Sequence, residues 1–364
     1  VLAFPTNYLF RFLDQHGVLS LHSIPEWRWI EGGARTYVEA ILRTLHPGTV
    51  HCGTSVTRVT RERGGACVAL PDGTSRHYDA VVLACHVDQA LTLLAKVELR
   101  ALCVDRDTGK LTQNILLLSL NEPQWVHALN SYASGTPVIE DGKLYCHFGA
   151  LGNACLDTRT GKVLWTNTEL VVMHENGPGS TPVLWKNLLV FHLDGSDQQF
   201  IAALDKRTGK LAWRTPRSGD MNANPQLKKS YGTPLILTLN GKEQIISPAS
   251  DWIYGYDEQG KELWRVKYGL LGFSLTPRPV VGHGMIYMST GFMKAQILAL
   301  KYQGLAKPEI AWRYEKGAPT MPSPLLVGEE LYFVNDGGIL TCVDAKTGAE
   351  HYRERLGGNY SSSP

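Results

Sequence analysis

Charge of one sign is lacking. Lys plus Arg total 36 against 34 for Asp plus Glu, a net charge of +2 in 364 residues, which gives no field to draw a nucleic acid or an acidic membrane. Long apolar runs are also missing. The richest stretch, 80–104, is broken by His86, Asp88, Lys96, Glu98 and Arg100, well short of the roughly 20 residues a membrane helix needs, so a soluble chain with no transmembrane segment is expected. The seven cysteines are odd in number and form no C-x-x-C or adjacent pair, which argues against a disulfide framework or a zinc site; no metal ligand set is predicted. No G-x-G-x-x-G follows a strand, so the usual seat for a dinucleotide pyrophosphate at a helix N-terminus is absent. The chain opens at Val1, and Pro5 and Arg11 interrupt any signal-peptide core, so no signal peptide is read.

What is present is a repeat. Asp105-Arg-Asp-Thr-Gly-Lys110 recurs as Asp157-Thr-Arg-Thr-Gly-Lys162, Asp205-Lys-Arg-Thr-Gly-Lys210, the shorter Asp257-Glu-Gln-Gly-Lys261 and Asp344-Ala-Lys-Thr-Gly-Ala349, with a degenerate copy over 297–312. An aromatic follows most copies: Trp165, Trp213, Trp264, Trp312 and Tyr352. In phase with it, Thr136-Pro137, Thr181-Pro182, Thr233-Pro234, Arg278-Pro279, Ser323-Pro324 and Ser363-Pro364 each open a unit, a place where a strand tolerates proline because no ladder donor is required. Tight turns such as Asp141-Gly142, Lys186-Asn187 and Asn240-Gly241 then separate short apolar runs, the signal of a hairpin.

The turn has its own logic. An Asp carboxylate accepts from the backbone amides ahead of it and Gly supplies the positive φ that closes the loop, so the motif should join the two outer strands of each unit. The aromatic after it should bury its surface between neighbouring units. A period of about 45 residues with four short strands describes a propeller blade and not a helical repeat.

Taken together, these Thr-Pro, hairpin and Asp-x-x-Thr-Gly-Lys-x-x-Trp elements resemble the PQQ-like repeat of quinoprotein alcohol dehydrogenases and of the outer-membrane assembly lipoprotein, over 96–364. The resemblance implies a mainly β chain: a PQQ-like β-propeller with five full four-stranded blades at about 134–178, 179–230, 231–275, 276–320 and 321–360, and a half blade at 100–120. It also implies an open or incomplete ring in a truncated chain, and a bacterial periplasmic or cell-envelope origin for the parent propeller.

Residues 1–95 have a different texture. The spacing of Tyr37, Ile41 and Leu45 predicts a helix over 36–45 after Gly32-Gly33, followed by strands at 49–52, 55–61, 66–70 and 80–83 with Asp72-Gly73 as a hairpin turn. The order Trp-Arg-Trp-Ile-Glu-Gly-Gly (27–33), Gly-Thr-Ser-Val-Thr-Arg-Val (53–59) and Tyr-Asp-Ala-Val-Val-Leu-Ala (78–84) resembles part of the FAD-dependent amine oxidases over 4–94, a small α+β segment of that fold. By that resemblance Val56 would lie against the FAD adenine, and Gly32, Gly33 and Arg35 near the flavin. A half domain meeting a half blade with no Gly/Ser/Pro linker predicts a chimeric reading frame.

Candidate top-face residues are His174, Asp194, Asp197, Asp251, Trp252 and Asp336, at corresponding ends of successive units. Asp194 and Asp197 offer carboxylates to calcium, but Asp-Gly and Ser-Asp are turn chemistry first. Cys85-His86 reads as core packing. A quinone-dependent enzyme would be expected to show a stacking tryptophan, a calcium-binding carboxylate set and commonly vicinal cysteines, and the last are missing. The expectation is therefore a non-catalytic binding scaffold for a protein or polysaccharide, with self-association through exposed strand edges and no catalytic residue assigned. The alternative is an oxidoreductase that binds FAD through the first segment or PQQ with calcium through the propeller.

Overall fold

A computed structural model of the chain describes residues 39, 43, 51, 54–62, 65–81, 96–121, 123–127, 130–269 and 272–363. The chain divides into two compact units, Val1–Leu94 and Ala95–Pro364.

In the first unit, strands Arg58–Glu62, Gly65–Ala69 and Ser75–Tyr78 form a three-stranded antiparallel sheet. The Asp72 carboxylate accepts from the Thr74 amide at 2.9 Å and its hydroxyl at 2.6 Å, closing the predicted hairpin. Of the predicted helix over 36–45, Glu39 and Arg43 are described, both helical. Gly32, Gly33 and Arg35 lie outside the described residues, as do Trp27, Trp29 and Cys85-His86.

The second unit is a succession of five four-stranded antiparallel sheets, each with its strands in chain order. They run from Val138 to Asn167 (blade I), Val183 to Pro216 (II), Leu235 to Lys267 (III), Val280 to Tyr314 (IV) and Leu325 to Arg355 (V). A two-stranded hairpin, Lys96–Val104 with Leu111–Asn121, precedes them and corresponds to the outer pair of a blade; it is longer than the 100–120 read from sequence. A Ser/Thr-Pro dipeptide, or Arg278-Pro279 in blade IV, stands directly before the first strand of each blade, and these residues link neighbours: the Thr136 amide donates to Thr181 Oγ1 at 3.0 Å, that of Arg278 to Ser323 Oγ at 2.9 Å and that of Ser323 to Ser363 Oγ at 2.9 Å.

The Asp-x-x-Thr-Gly turns join third and fourth strands as expected. Asp157 Oδ1 accepts from the Thr160 amide at 2.7 Å and its hydroxyl at 2.8 Å, and Asp105, Asp205 and Asp344 repeat the pattern. These hydrogen bonds hold all four carboxyls below the ordinary aspartate value, at Asp205 against burial. A one-residue bulge precedes each turn, as at Cys155/Leu156 and Ala203/Leu204, and sharpens the strand twist there.

The aromatic that follows is the pin between blades. Trp165 of blade I donates its indole N–H to Lys206 O of blade II at 3.0 Å, Trp213 of II to Glu258 O of III at 2.8 Å, and Trp312 of IV to Ala345 O of V at 3.1 Å. Each ring lies on the next turn's glycine so closely that a Cβ on Gly209, Gly260 or Gly348 would come within 2.4–2.7 Å of it. Trp264 behaves differently because blade IV has no Asp-Gly turn to receive it; its N–H turns back to Gln244 Oε1 of its own blade at 2.8 Å. Five buried apolar clusters join the hairpin with I, I with II, II with III, III with IV and IV with V, which is radial face-to-face packing. Among the described residues no such cluster joins V with the hairpin.

Candidate protein-binding face

In an antiparallel four-stranded blade the first-to-second and third-to-fourth connections lie at one end, and the second-to-third and blade-to-blade connections at the other. The first end carries the tight Asp/Gly/Lys turns, whose aspartates accept from the amides and threonine hydroxyls of the same turn. The second end carries longer loops, including 168–182, 217–234 and 315–324, and holds two layers.

The lower layer is buried and polar. Asp194, at the end of the second strand of blade II, and Arg217, just after its last strand, form a two-point ion pair: Nε to Oδ1 and Nη2 to Oδ2, both 3.0 Å, with both side chains at most 1% exposed. The guanidinium lies 5.0 Å from the Tyr254 ring centroid and donates to the Tyr256 hydroxyl at 3.3 Å. Burial pushes the Asp194 carboxyl up and the guanidinium pulls against it; the fork geometry is that of an ionised pair. Beside it lie three buried imidazoles. His147 Nδ1 meets Asn153 Oδ1 at 2.8 Å and its ring sits 4.4 Å from Phe191, while His192 Nδ1 meets Ser247 Oγ at 3.1 Å. Burial drives His147 and His174 down to about 4, and His192 well below its ordinary value, so all three are neutral at pH 7. His147 Nε2 and both ring nitrogens of His174 find no hydrogen-bond partner among the described residues.

Most of the residues chosen from sequence tie this end together. The His174 amide donates to Gln124 Oε1 at 3.1 Å and its carbonyl accepts from Tyr231 Oη at 2.9 Å. Asp197 is exposed and accepts from the Met173 amide at 2.7 Å. Asp251 is buried at a positive φ of 66°, and burial pushes its carboxyl to about 6. Trp252 donates to Asp220 O at 3.1 Å, and Arg265 and Lys267 lie 5.4 and 5.2 Å from its ring centroid. Asp336 accepts from the Thr320 amide at 2.9 Å and its hydroxyl at 2.7 Å. Asp194 and Asp197 thus have different partners and do not converge on one point, and among the described residues no group of three or more His, Cys, Asp or Glu is placed to hold a metal ion. Val56, in the first unit, is 36% exposed.

The upper layer was not legible in the sequence. Trp125, Val171, Met173, Phe292, Met293 and Met321 are 44–58% exposed, all on loops of this end. They are held firmly from below. Met173 is fixed by Asp197 on its amide and by the Ser196 amide on its carbonyl at 2.9 Å. Gln124 Nε2 donates to Val172 O at 2.8 Å, which straps the Trp125 loop to it. Phe292-Met293 pairs with Gly272-Phe273 in a two-residue ladder, with Phe273 edge-on to Phe292 at 5.8 Å. Exposed Trp, Phe and Met bring large contact area to a partner, and a fixed backbone confines the ordering cost to their side chains.

Residues 154–301 and 249–364 match the family described as outer membrane protein assembly factor BamB. Residues 4–206 match that described as flavin containing amine oxidoreductase, a match that runs from the first unit into blades I and II. Similar solved structures include BamB from Moraxella catarrhalis, 13% identical with a TM-score of 0.52, covering 86% of this chain and 93% of that one. Others are a europium-containing methanol dehydrogenase at 10%, 0.41, 86% and 81%, and a quinohemoprotein alcohol dehydrogenase from Comamonas testosteroni at 12%, 0.39, 85% and 68%. Of these three, the first is similar enough to show the fold, a PQQ-like propeller. No curated protein matches the chain.

Proposed function

Because the chain belongs to the outer membrane protein assembly factor BamB family over 154–364, and to the flavin containing amine oxidoreductase family over 4–206, we propose that its propeller is a non-catalytic scaffold that binds a protein partner through the loop end. The parent propeller would work in the periplasm or cell envelope as an assembly factor, and the first segment is a partial flavin-oxidoreductase element carried with it. The observation behind this reading is the set of fixed, exposed apolar side chains on the loop end, above a buried ion-paired layer. Such anchors favour a protein over a polysaccharide, whose recognition leans on polar side chains around flat aromatic platforms. Among the described residues no helix is long and apolar enough to cross a membrane.

The chemistry of the layer below supports a scaffold too. A calcium-assisted quinone would need carboxylates directed at one point, and here Asp194 is held by Arg217, Asp197 by the Met173 amide and Asp336 by Thr320. These residues do not fit that group. The match over 4–206 favours a second reading, a flavin-dependent oxidoreductase, with Gly32, Gly33, Arg35 and Val56 near the FAD.

Site-specific photo-crosslinking separates the two ends. A photoreactive residue at Met173, Phe292 or Met321 should capture a protein in bacterial envelopes, whereas one at Arg159 or Lys210 on the turn end should not; capture from the turn end alone overturns the proposal. For the second reading, visible spectra of the full chain with FAD, and separately with PQQ and calcium, should stay those of the free cofactors. A bound flavin spectrum would restore the oxidoreductase.

A further inference from the structure

The inter-blade interlock has a donor half and an acceptor half, and the propeller presents one unused copy of each. The acceptor is the hairpin 96–121. Three residues before the turn aspartate stand Ala154, Ala202, Tyr254 and Thr341 in the blades, all 0% exposed, and the first three lie in the clusters shared with the preceding unit. The same position in the hairpin is Leu102, 61% exposed, with Leu116 beside it at 41%. The turn glycines of blades I, II, III and V are covered from the preceding unit, Gly161 by Ile115 and Gln113, the other three by a Trp ring, yet a Cβ on Gly109 would meet nothing within 4 Å. The Asp105 turn is formed like the others, so the seat is built and uncovered.

The donor half is blade V. Leu326, Leu331 and Phe333 pack back on blade IV, so the alternate residues Leu325 and Val327 point to the opposite face, where they are 42% and 50% exposed. Tyr352 pairs across the sheet with Cys342 as Trp165 does with Cys155. It therefore holds the pin position, and at 42% exposure it covers no turn glycine among the described residues, whereas Trp165 is 8% exposed.

We propose that the exposed face of the 96–121 hairpin is a docking site for the exposed face of blade V of a second copy, so that the chain associates head to tail. The occupant follows from complementarity: the hairpin offers the Asp-Gly seat and blade V the aromatic that such a seat receives at three other junctions of the same molecule. The contact is heterologous, so each copy keeps one free half and association proceeds beyond a dimer unless the ring of copies closes. It involves none of the loop-end side chains proposed for the partner.

Sedimentation velocity of the full chain over a wide concentration range tests this. The average mass of the native chain should rise with concentration, while Tyr352→Arg and Leu102→Arg should each remain monomeric. Both sites are exposed, so the thermal transitions should match that of the native protein. The decisive sample is the equimolar mixture, in which one variant keeps its seat and the other its pin: it should form a one-to-one complex that does not grow further. Leu116→Arg and Val327→Arg serve as a replacement pair if either first variant fails to fold. A native chain monomeric at every concentration, as closure of blade V on its own hairpin would give, overturns the proposal. So does a mixture that stays monomeric, or growth that the substitutions leave unchanged.

Discussion

Removing one partner of the Asp194–Arg217 pair should damage the propeller more than almost any other single polar change. In Asp194→Ala the Arg217 guanidinium loses two 3.0 Å hydrogen bonds at a site with no access to water. Two hydrogen bonds to a charged group at about 1.5–3 kcal/mol each agree with the roughly 3–5 kcal/mol found when one member of a buried pair is deleted. For a unit of this size, that is a fall in Tm of about 6–20 °C. Removing both, as Asp194→Leu with Arg217→Met, takes away the unpaired charge as well as the pair and should return stability to within about 1 kcal/mol of the native protein, or above it. Urea unfolding followed by tryptophan fluorescence, run on the singles and the double as a thermodynamic cycle, gives the coupling directly. A single-variant cost below about 1 kcal/mol, or a double whose cost is the sum of the singles, would refute the reasoning that this pair is a buried, ionised clamp.

Acid should loosen the same region. His147 and His174 have folded values of about 4 against 6.5 unfolded, so the unfolded chain binds protons first as pH falls; their stability is whole above about 6.5 and lost progressively toward 4, at about 1.4 kcal/mol per unit of difference for each. Asp251, raised from 3.8 to about 6, runs the other way, costing stability as pH rises through that window, so urea midpoints should fall between pH 7 and 4.5 in the native protein and fall further in Asp251→Asn. At the blade junctions, Trp213→Ala should cost about 3–5 kcal/mol while Tyr352→Ala, exposed in the monomer, should cost under about 0.5 kcal/mol, as thermal melts of dilute protein will show. Gly209→Ala and Gly241→Ala share the strain of a positive φ, 71° and 75°, but only the first forces a Cβ to within 2.5 Å of Trp165, so it should be the worse by at least about 1 kcal/mol of overpacking in the same melts.

The parts of this fold legible in sequence were the local ones. Asp157 through Lys162 specifies its turn from hydrogen bonds within six residues, and the following Trp could be assigned to a blade junction because no other place buries it. Where a neighbour lacked its half of the interlock, that inference failed to specify the contact: Trp264 turned inward to Gln244, and Gln113 with Ile115 took the Trp place over Gly161. The candidate site was less legible because its partners are distant in sequence. Asp194 reads as turn chemistry until Arg217 is seen folded over it, and His147, His174 and His192 come from three segments with no shared motif. Nothing in the spacing of Met173, Phe292 and Met321 distinguishes them from core residues; their exposure depends on how the loops are tied down by Asp197, Gln124 and Asp336.

The central claim is that the loop end, and not the turn end, holds a protein partner. The most direct measurement is the affinity of the protein captured by crosslinking for the native chain and for Met173→Glu, Phe292→Glu and Lys210→Glu. The first two should each weaken binding at least about tenfold, as the loss of a buried apolar anchor worth about 1.4 kcal/mol or more, and Lys210→Glu should leave it unchanged. Equal affinities for all four, or a loss confined to Lys210→Glu, would contradict the account.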